Sequence, residues 1–298
     1  MVDRTGKRGS AMRTARWLLV LVAFAAAAGG CGRVYKTEAD RFVSLTAGKG
    51  YDRGLVVCLS GAGGRTGEVD RIRRGLVEGG VECAIEAFEW SSGWILADQM
   101  DITANKEKAA MLARRIERYI REYPDGPVHL IGVSAGTGLV VWAVEDLRPG
   151  RRVENVVLVA SSLWKEYDLS AALQNVNGRI YNHCSSADMV LAIGVPLVGT
   201  VDRKNGISGG LHGFQTPEHA TADTHVLYKA KLEQITWSSR DAAWGHIGDH
   251  LGGTRPGYVR ERIAPLAWAK RPEMKVAAAQ EAPVTAVVVA QNQPKLRS

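Results

Sequence analysis

Ser134 stands between two glycines in "GVSAG", where the apolar run "VHLIGV" gives way to helical spacing. A serine hydroxyl is a weak nucleophile until a base takes its proton, and the base needs an acid to hold it in the useful tautomer. A sharp strand-to-helix turn brings backbone close to its central residue, so Gly132 and Gly136 fit a turn that presents Ser134 at the end of a strand. The helix N-terminus beneath it would favour developing negative charge. The same Gly-x-Ser-x-Gly spacing also occurs as a purely structural turn. The rest of the chain must therefore supply an acid and a base.

Asp188 supplies the acid in "RIYNHCSSADMVL", just past a strand-like run. Capping of a helix N-terminus by Ser186 or Asp188 is the competing use, and Asp168 is the alternative acid. The base comes from "AAWGHIGDHLGG", with His246 as the choice and His250 in the same loop as the alternative. A second glycine-rich stretch, "LSGAGG" at 59–64, follows the first strong apolar run. Its Gly61-x-Gly63 starts a dinucleotide-type pattern, but Thr66 occupies the third glycine's place and Ser134 would be left without a role.

These segments need a scaffold. Strand-like segments at 54–60, 81–90, 128–134, 153–161, 178–185 and 232–238 alternate with helical patterns at 68–78, 102–122, 135–147 and 257–269. Strands alternating with helices, several of them apolar throughout, predict an α/β fold, a mostly parallel sheet covered on both faces. Sites in such sheets lie at the carboxyl ends of the strands, where Ser134, Asp188 and His246 all fall. Trp90, Trp94, Trp164 and Trp244 fall on the same side, either covering core or rimming a pocket. The connection between 161 and 178 is too short for a large cap domain. The stretch 192–224 is long enough to cross the entrance.

The formal net charge of +7 sits at the two ends. Arg4, Lys7, Arg8, Arg13 and Arg16 face only Asp3 in the first 31 residues. Lys270, Arg271, Lys275, Lys295 and Arg297 face only Glu273 and Glu281 in the tail. The stretch between is neutral, so composition gives no basic body for nucleic acid. Residues 1–31 combine a basic start, the apolar "WLLVLVAFAAAA" and small residues up to Cys31, the pattern of an export signal. "AGGCG" resembles the lipobox of bacterial lipoproteins, although Ala28 stands where leucine is commonest. That resemblance implies a lipidated Cys31, a tether through 32–51 and membrane anchoring outside the cytoplasm. Gly32, in place of the Asp that often retains such proteins at the inner membrane, favours the outer membrane or cell surface. The segment 270–298 has no periodicity long enough to pack, and we expect it to be disordered. Cys58, Cys83 and Cys184 lie in apolar runs without metal-ligand spacing and are expected to be buried thiols, with a Cys58–Cys83 disulfide as the alternative.

Taken in order, GVSAG, SGAGG, Asp188 and His246 make residues 52–269 resemble an α/β-hydrolase. The resemblance implies an acyl-enzyme mechanism with Ser134 as nucleophile, His246 as base and Asp188 as acid. It also implies an oxyanion hole from the N–H groups of Ala62, with Gly63 next to it, and of Ala135. Neither a metal nor an organic cofactor is implied. The substrate would be a small-molecule or lipid ester, or a related acyl compound. The chain departs from common members in carrying Ser60-Gly61 where many have His-Gly, which leaves open what braces that loop. An acyltransferase with the same triad and a non-catalytic binding protein on this scaffold are the other functions such a sequence admits. Oligomeric state is not legible.

Overall fold

Alternation within the strands decides how the layers stack. Side chains at successive strand positions point to opposite faces. In the strand Leu55–Leu59 (β2), Leu55, Val57 and Leu59 join one core while Val56 and Cys58 join the other. The computed structural model describes residues 37–64 and 67–268. The signal-peptide, Cys31 and C-terminal-tail expectations lie outside them.

Seven strands form one sheet in the order β1-β3-β2-β4-β5-β6-β7. They are β1 (Phe42–Ser44), β2, β3 (Ala84–Phe88), β4 (Val128–Val133), β5 (Asn155–Val159), β6 (Ile180–Cys184) and β7 (Leu232–Thr236). All pairs are parallel except β1–β3, which is antiparallel. The sheet thus begins upstream of residue 52, with a three-residue edge strand too short to stand out in the sequence. β7, at the other edge, is only partly buried.

The helices α1 (Glu68–Glu78), α2 (Ile95–Met100), α3 (Ile102–Glu122), α4 (Gly136–Glu145), α5 (Ser170–Gln174) and α6 (Ala222–Lys231) fill the connections together with shorter turns. α3 and α4 cover one face, with Leu112, Ile116, Leu139 and Val140 in the core. α1 and the C-terminal helical segment cover the other with Ile72, Leu76, Val259 and Ile263. α3 starts where the Asp101 side chain accepts from the Ala104 N–H at 3.0 Å, a helix N-cap. α4 is buried from Gly136 to Val144, as expected of a helix apolar on all sides.

The expected last helix is divided into Pro256–Tyr258, a wide π turn Val259–Ile263, and Ala264–Ala267. Pro265 accounts for the break, because it has no N–H to give to the preceding turn. Cys58, Cys83 and Cys184 are buried free thiols. Burial pushes the Cys83 thiol up to about 12 and raises that of Cys184, which makes both poor nucleophiles.

Candidate active site

The turn after β4 explains its own composition. A side chain at Gly132 would approach the Thr137 Cα to 2.9 Å, and one at Gly136 would collide with the Ser60 carbonyl oxygen. Between them Ser134 adopts φ 51°, a left-handed conformation that typically costs a non-glycine residue about 1–3 kcal/mol. The turn is held by the Ser134 N–H donating to the Val159 oxygen at 2.9 Å, and by the Ser134 oxygen accepting from the Thr137 N–H at 3.1 Å. The strain is therefore offset by β5 on one side and by α4 on the other.

Ser134 Oγ lies 3.0 Å from His250 Nε2, and His250 Nδ1 lies 2.7 Å from Asp188 Oδ2. Asp188 is 1% exposed and His250 15%, so the chain runs from a buried carboxylate to a partly exposed ring. Asp188 makes both of the contacts considered from sequence, to a histidine and to a helix N-terminus. Its Oδ2 accepts from His250, while its Oδ1 accepts from the Leu191 N–H at 3.0 Å and caps the following helical turn.

Two loops are locked together to make this contact. Ser185 Oγ donates to the Gly248 oxygen at 2.9 Å. Gly248 has φ 91°, and a side chain there would come within 2.9 Å of the Ala187 Cβ. Only glycine meets both demands, and the turn it permits carries His250 to Asp188.

His246 is not in this chain. It is buried, its ring stands edge-on to Tyr258 at 4.8 Å, and its Nδ1 accepts from the Gly248 N–H at 3.1 Å. Burial lowers its pKa. It braces the loop from behind, and the structure brings His250 rather than His246 to Ser134. Spacing along the sequence does not separate two histidines in one loop; the available signal was Gly248, the turn that reverses the chain before His250. Asp168 lies elsewhere, accepting from the Ser170 N–H at 2.9 Å and the Tyr228 hydroxyl at 3.3 Å.

The SGAGG loop lies against the serine, since a side chain at Gly61 would sit 3.1 Å from the Ser134 Cβ. The Gly61 N–H donates to Glu68 Oε2 at 2.7 Å and the Gly63 N–H to Asp98 Oδ2 at 2.9 Å. Neither the Ala62 nor the Ala135 N–H has a hydrogen-bond partner among the described residues. Trp90 is buried and its Nε1–H donates to the Ser60 oxygen at 2.9 Å, so it supports this loop rather than rimming a pocket. Trp94 is 59% exposed, whereas Trp164 and Trp244 are half-buried. The 192–224 stretch is tied down in part: the Gly209 N–H donates to the Leu163 oxygen and the Gly210 N–H to the Ser161 oxygen. Among the described residues, no group of three His, Cys, Asp or Glu side chains converges as metal ligands.

A sheet of six parallel strands with one antiparallel edge ends its central strand β4 in a left-handed serine at the mouth of a buried helix. The fold is α/β, a mostly parallel sheet covered by helices on both faces. No known protein-family model matches the chain, and no curated protein is similar to it in sequence. Solved structures with which it aligns include an esterase of Pyrococcus furiosus, at 8% identity and a TM-score of 0.44 over 72% of this chain and 80% of that one. A lipase-esterase related protein from Clostridium acetobutylicum aligns at 11% identity and a TM-score of 0.45, over 76% of this chain and 98% of that one. A cutinase-like protein from Cryptococcus sp. aligns at 15% identity and a TM-score of 0.38, over 70% and 89% of the two chains.

Proposed function

We propose that the protein is a serine hydrolase that cleaves an ester or related acyl bond through an acyl-enzyme. The observation that carries this reading is the chain Ser134 Oγ–His250 Nε2–Asp188, at 3.0 and 2.7 Å. Ser134 Oγ attacks the acyl carbonyl carbon while His250 Nε2 takes its proton. Asp188 keeps the other ring nitrogen protonated and stabilises the imidazolium. The N–H groups of Ala62 and Ala135 receive the oxyanion; one such donor is typically worth about 2.7–4 kcal/mol. Collapse expels the alcohol, which leaves with the proton from Nε2. Water then repeats the sequence on the acyl-enzyme, releasing the acid and restoring Ser134.

An apolar acyl or alkyl group is the best-suited substrate part. Trp94, Leu96, Met100, Met189, Leu197 and Ile247 are exposed, and all lie on segments that follow strand carboxyl ends. Exposed apolar side chains at this end of the sheet are surface that an acyl or alkyl chain can cover. The test is labelling with a fluorophosphonate probe: wild type should form one adduct at Ser134 and Ser134→Ala none. Labelling at a different serine would overturn the reading.

A further inference from the structure

We propose that Asp98 and Glu68 are positioning residues of the oxyanion site, two buried carboxylates that grip the SGAGG turn on either side of Ala62. This rests on the hydrolase reading above. Glu68 and Asp98 are 4% and 1% exposed, and each takes one N–H of the turn, Gly61 and Gly63 respectively. The two bonds leave the intervening Ala62 N–H as the donor without a partner. They also fix its direction, because both neighbouring N–H groups are aimed at fixed acceptors. Gly63 itself is in the left-handed region at φ 85°, and a side chain there would meet Ile95 Cγ1 at 2.8 Å. The turn is thus pressed onto α2, the helix that carries Asp98.

Asp98 is built for this role. Besides Gly63 its oxygens accept from the Ser91 hydroxyl and from the Ser92 N–H and hydroxyl, at 2.8 and 2.7 Å for Ser92. One side chain therefore ties the loop after β2 to the loop after β3. Its neighbour Gln99 extends the tie: its Nε2 donates to Ser162 Oγ and to the Gly199 oxygen, each at 3.0 Å. The Ser162 N–H in turn lies 3.4 Å from the Ser134 oxygen. α2 thereby fixes two loops that meet the nucleophile. The pair Glu68 and Asp98 answers the absence of His-Gly at Ser60-Gly61, since the bracing comes from carboxylates on the backbone N–H groups instead.

Asp98→Asn tests this. The amide offers one oxygen where the carboxylate has two, so either Gly63 or Ser92 loses its acceptor. The measured quantities are the limiting rate of Ser134 phosphonylation by a fluorophosphonate, kinact, and the half-saturating concentration KI. The phosphoryl oxygen occupies the oxyanion site only as the reaction proceeds. Asp98→Asn should therefore lower kinact by about tenfold or more, against the 10²–10³ typical of losing one donor outright, with KI within about threefold. A structural role alone would reduce the fraction of protein that labels without changing kinact of the folded fraction. If Asp98→Asn does not fold, Glu68→Ala removes the other brace and is read in the same way. A folded variant with kinact within about twofold of wild type overturns the proposal and leaves the hydrolase reading standing. Wild type that is not phosphonylated at Ser134 overturns both.

Discussion

Replacing Asp188 by Asn tests the acid in a way that the local geometry makes quantitative. The side chain is buried with one oxygen accepting from the Leu191 N–H at 3.0 Å and the other from His250 at 2.7 Å. An amide must place its NH₂ on one side or the other. Facing Leu191, it would set donor against donor and leave a buried backbone N–H unpaired, at a cost of about 1–3 kcal/mol. Facing His250, it needs only the ring to change tautomer. The second orientation wins by a factor on the order of 5–150. In it, Nδ1 is the acceptor and Nε2 carries the proton, so Nε2 cannot take one from Ser134. Loss of the carboxylate also removes the stabilisation of the imidazolium. Together these account for a fall of about 10⁴ in the rate of Ser134 acylation, the size known for this substitution in a Ser-His-Asp triad. The helix cap survives through the amide oxygen, so thermal stability should change by less than about 1 kcal/mol. The assay is the limiting rate of phosphonylation together with thermal unfolding of the same sample. A folded Asp188→Asn protein that keeps a tenth of the wild-type rate would refute the argument.

The two histidines should separate by rate. His250→Ala should slow acylation by at least about 10³ and also destabilise the fold, because it leaves the buried Asp188 Oδ2 without its partner. His246→Ala should destabilise the fold by about 1–3 kcal/mol through the freed Gly248 N–H, with most of the acylation rate kept below its melting temperature; a paired measurement of rate and unfolding decides. Burial, outweighing the Tyr167 hydroxyl that donates to it, pushes the Glu145 carboxyl up to about 7 from 4.5. The folded protein then holds a proton that the unfolded chain releases, so stability should be highest below about pH 4.5 on this account and fall as pH rises to about 7, by up to about 3 kcal/mol. Glu145→Gln should flatten that part of a denaturation–pH curve, and an unchanged slope would contradict it. Cys31→Ser should abolish palmitate incorporation and release the protein from the membrane fraction; an unlabelled, cytosolic wild type would end the lipoprotein reading.

What the sequence made legible follows the reach of its signals. β2 to β5 announce themselves through apolar residues, β6 and β7 through their place in the alternation of strands and helices, and α1 and α3 through helical spacing that ends where the structure ends them, at Glu78 and Glu122. Ser134 was legible because two glycines and a strand–helix boundary are local. β1 escaped because three half-buried residues carry no periodicity, and α2 because it is only six residues long. His250 rather than the expected His246 stands beside Ser134 for a tertiary reason: which histidine reaches Asp188 depends on the contact between Gly248 and Ala187, far apart in the chain. Glu68 and Asp98 gave no signal at all. A carboxylate that accepts from backbone N–H groups has no spacing to recognise, since the turn it holds is set by the fold.

The central claim is that Ser134 is an acylatable nucleophile driven by His250. Its most direct test is mass spectrometry of the peptide containing Ser134 after brief exposure to a fluorophosphonate, in wild type, Ser134→Ala and His250→Ala. One phosphonyl group per chain on Ser134 in wild type, none in Ser134→Ala and a rate at least about 10³ slower in His250→Ala is the predicted result. Wild-type protein that stays unmodified, or a His250→Ala protein that is phosphonylated at Ser134 as fast as wild type, would contradict it.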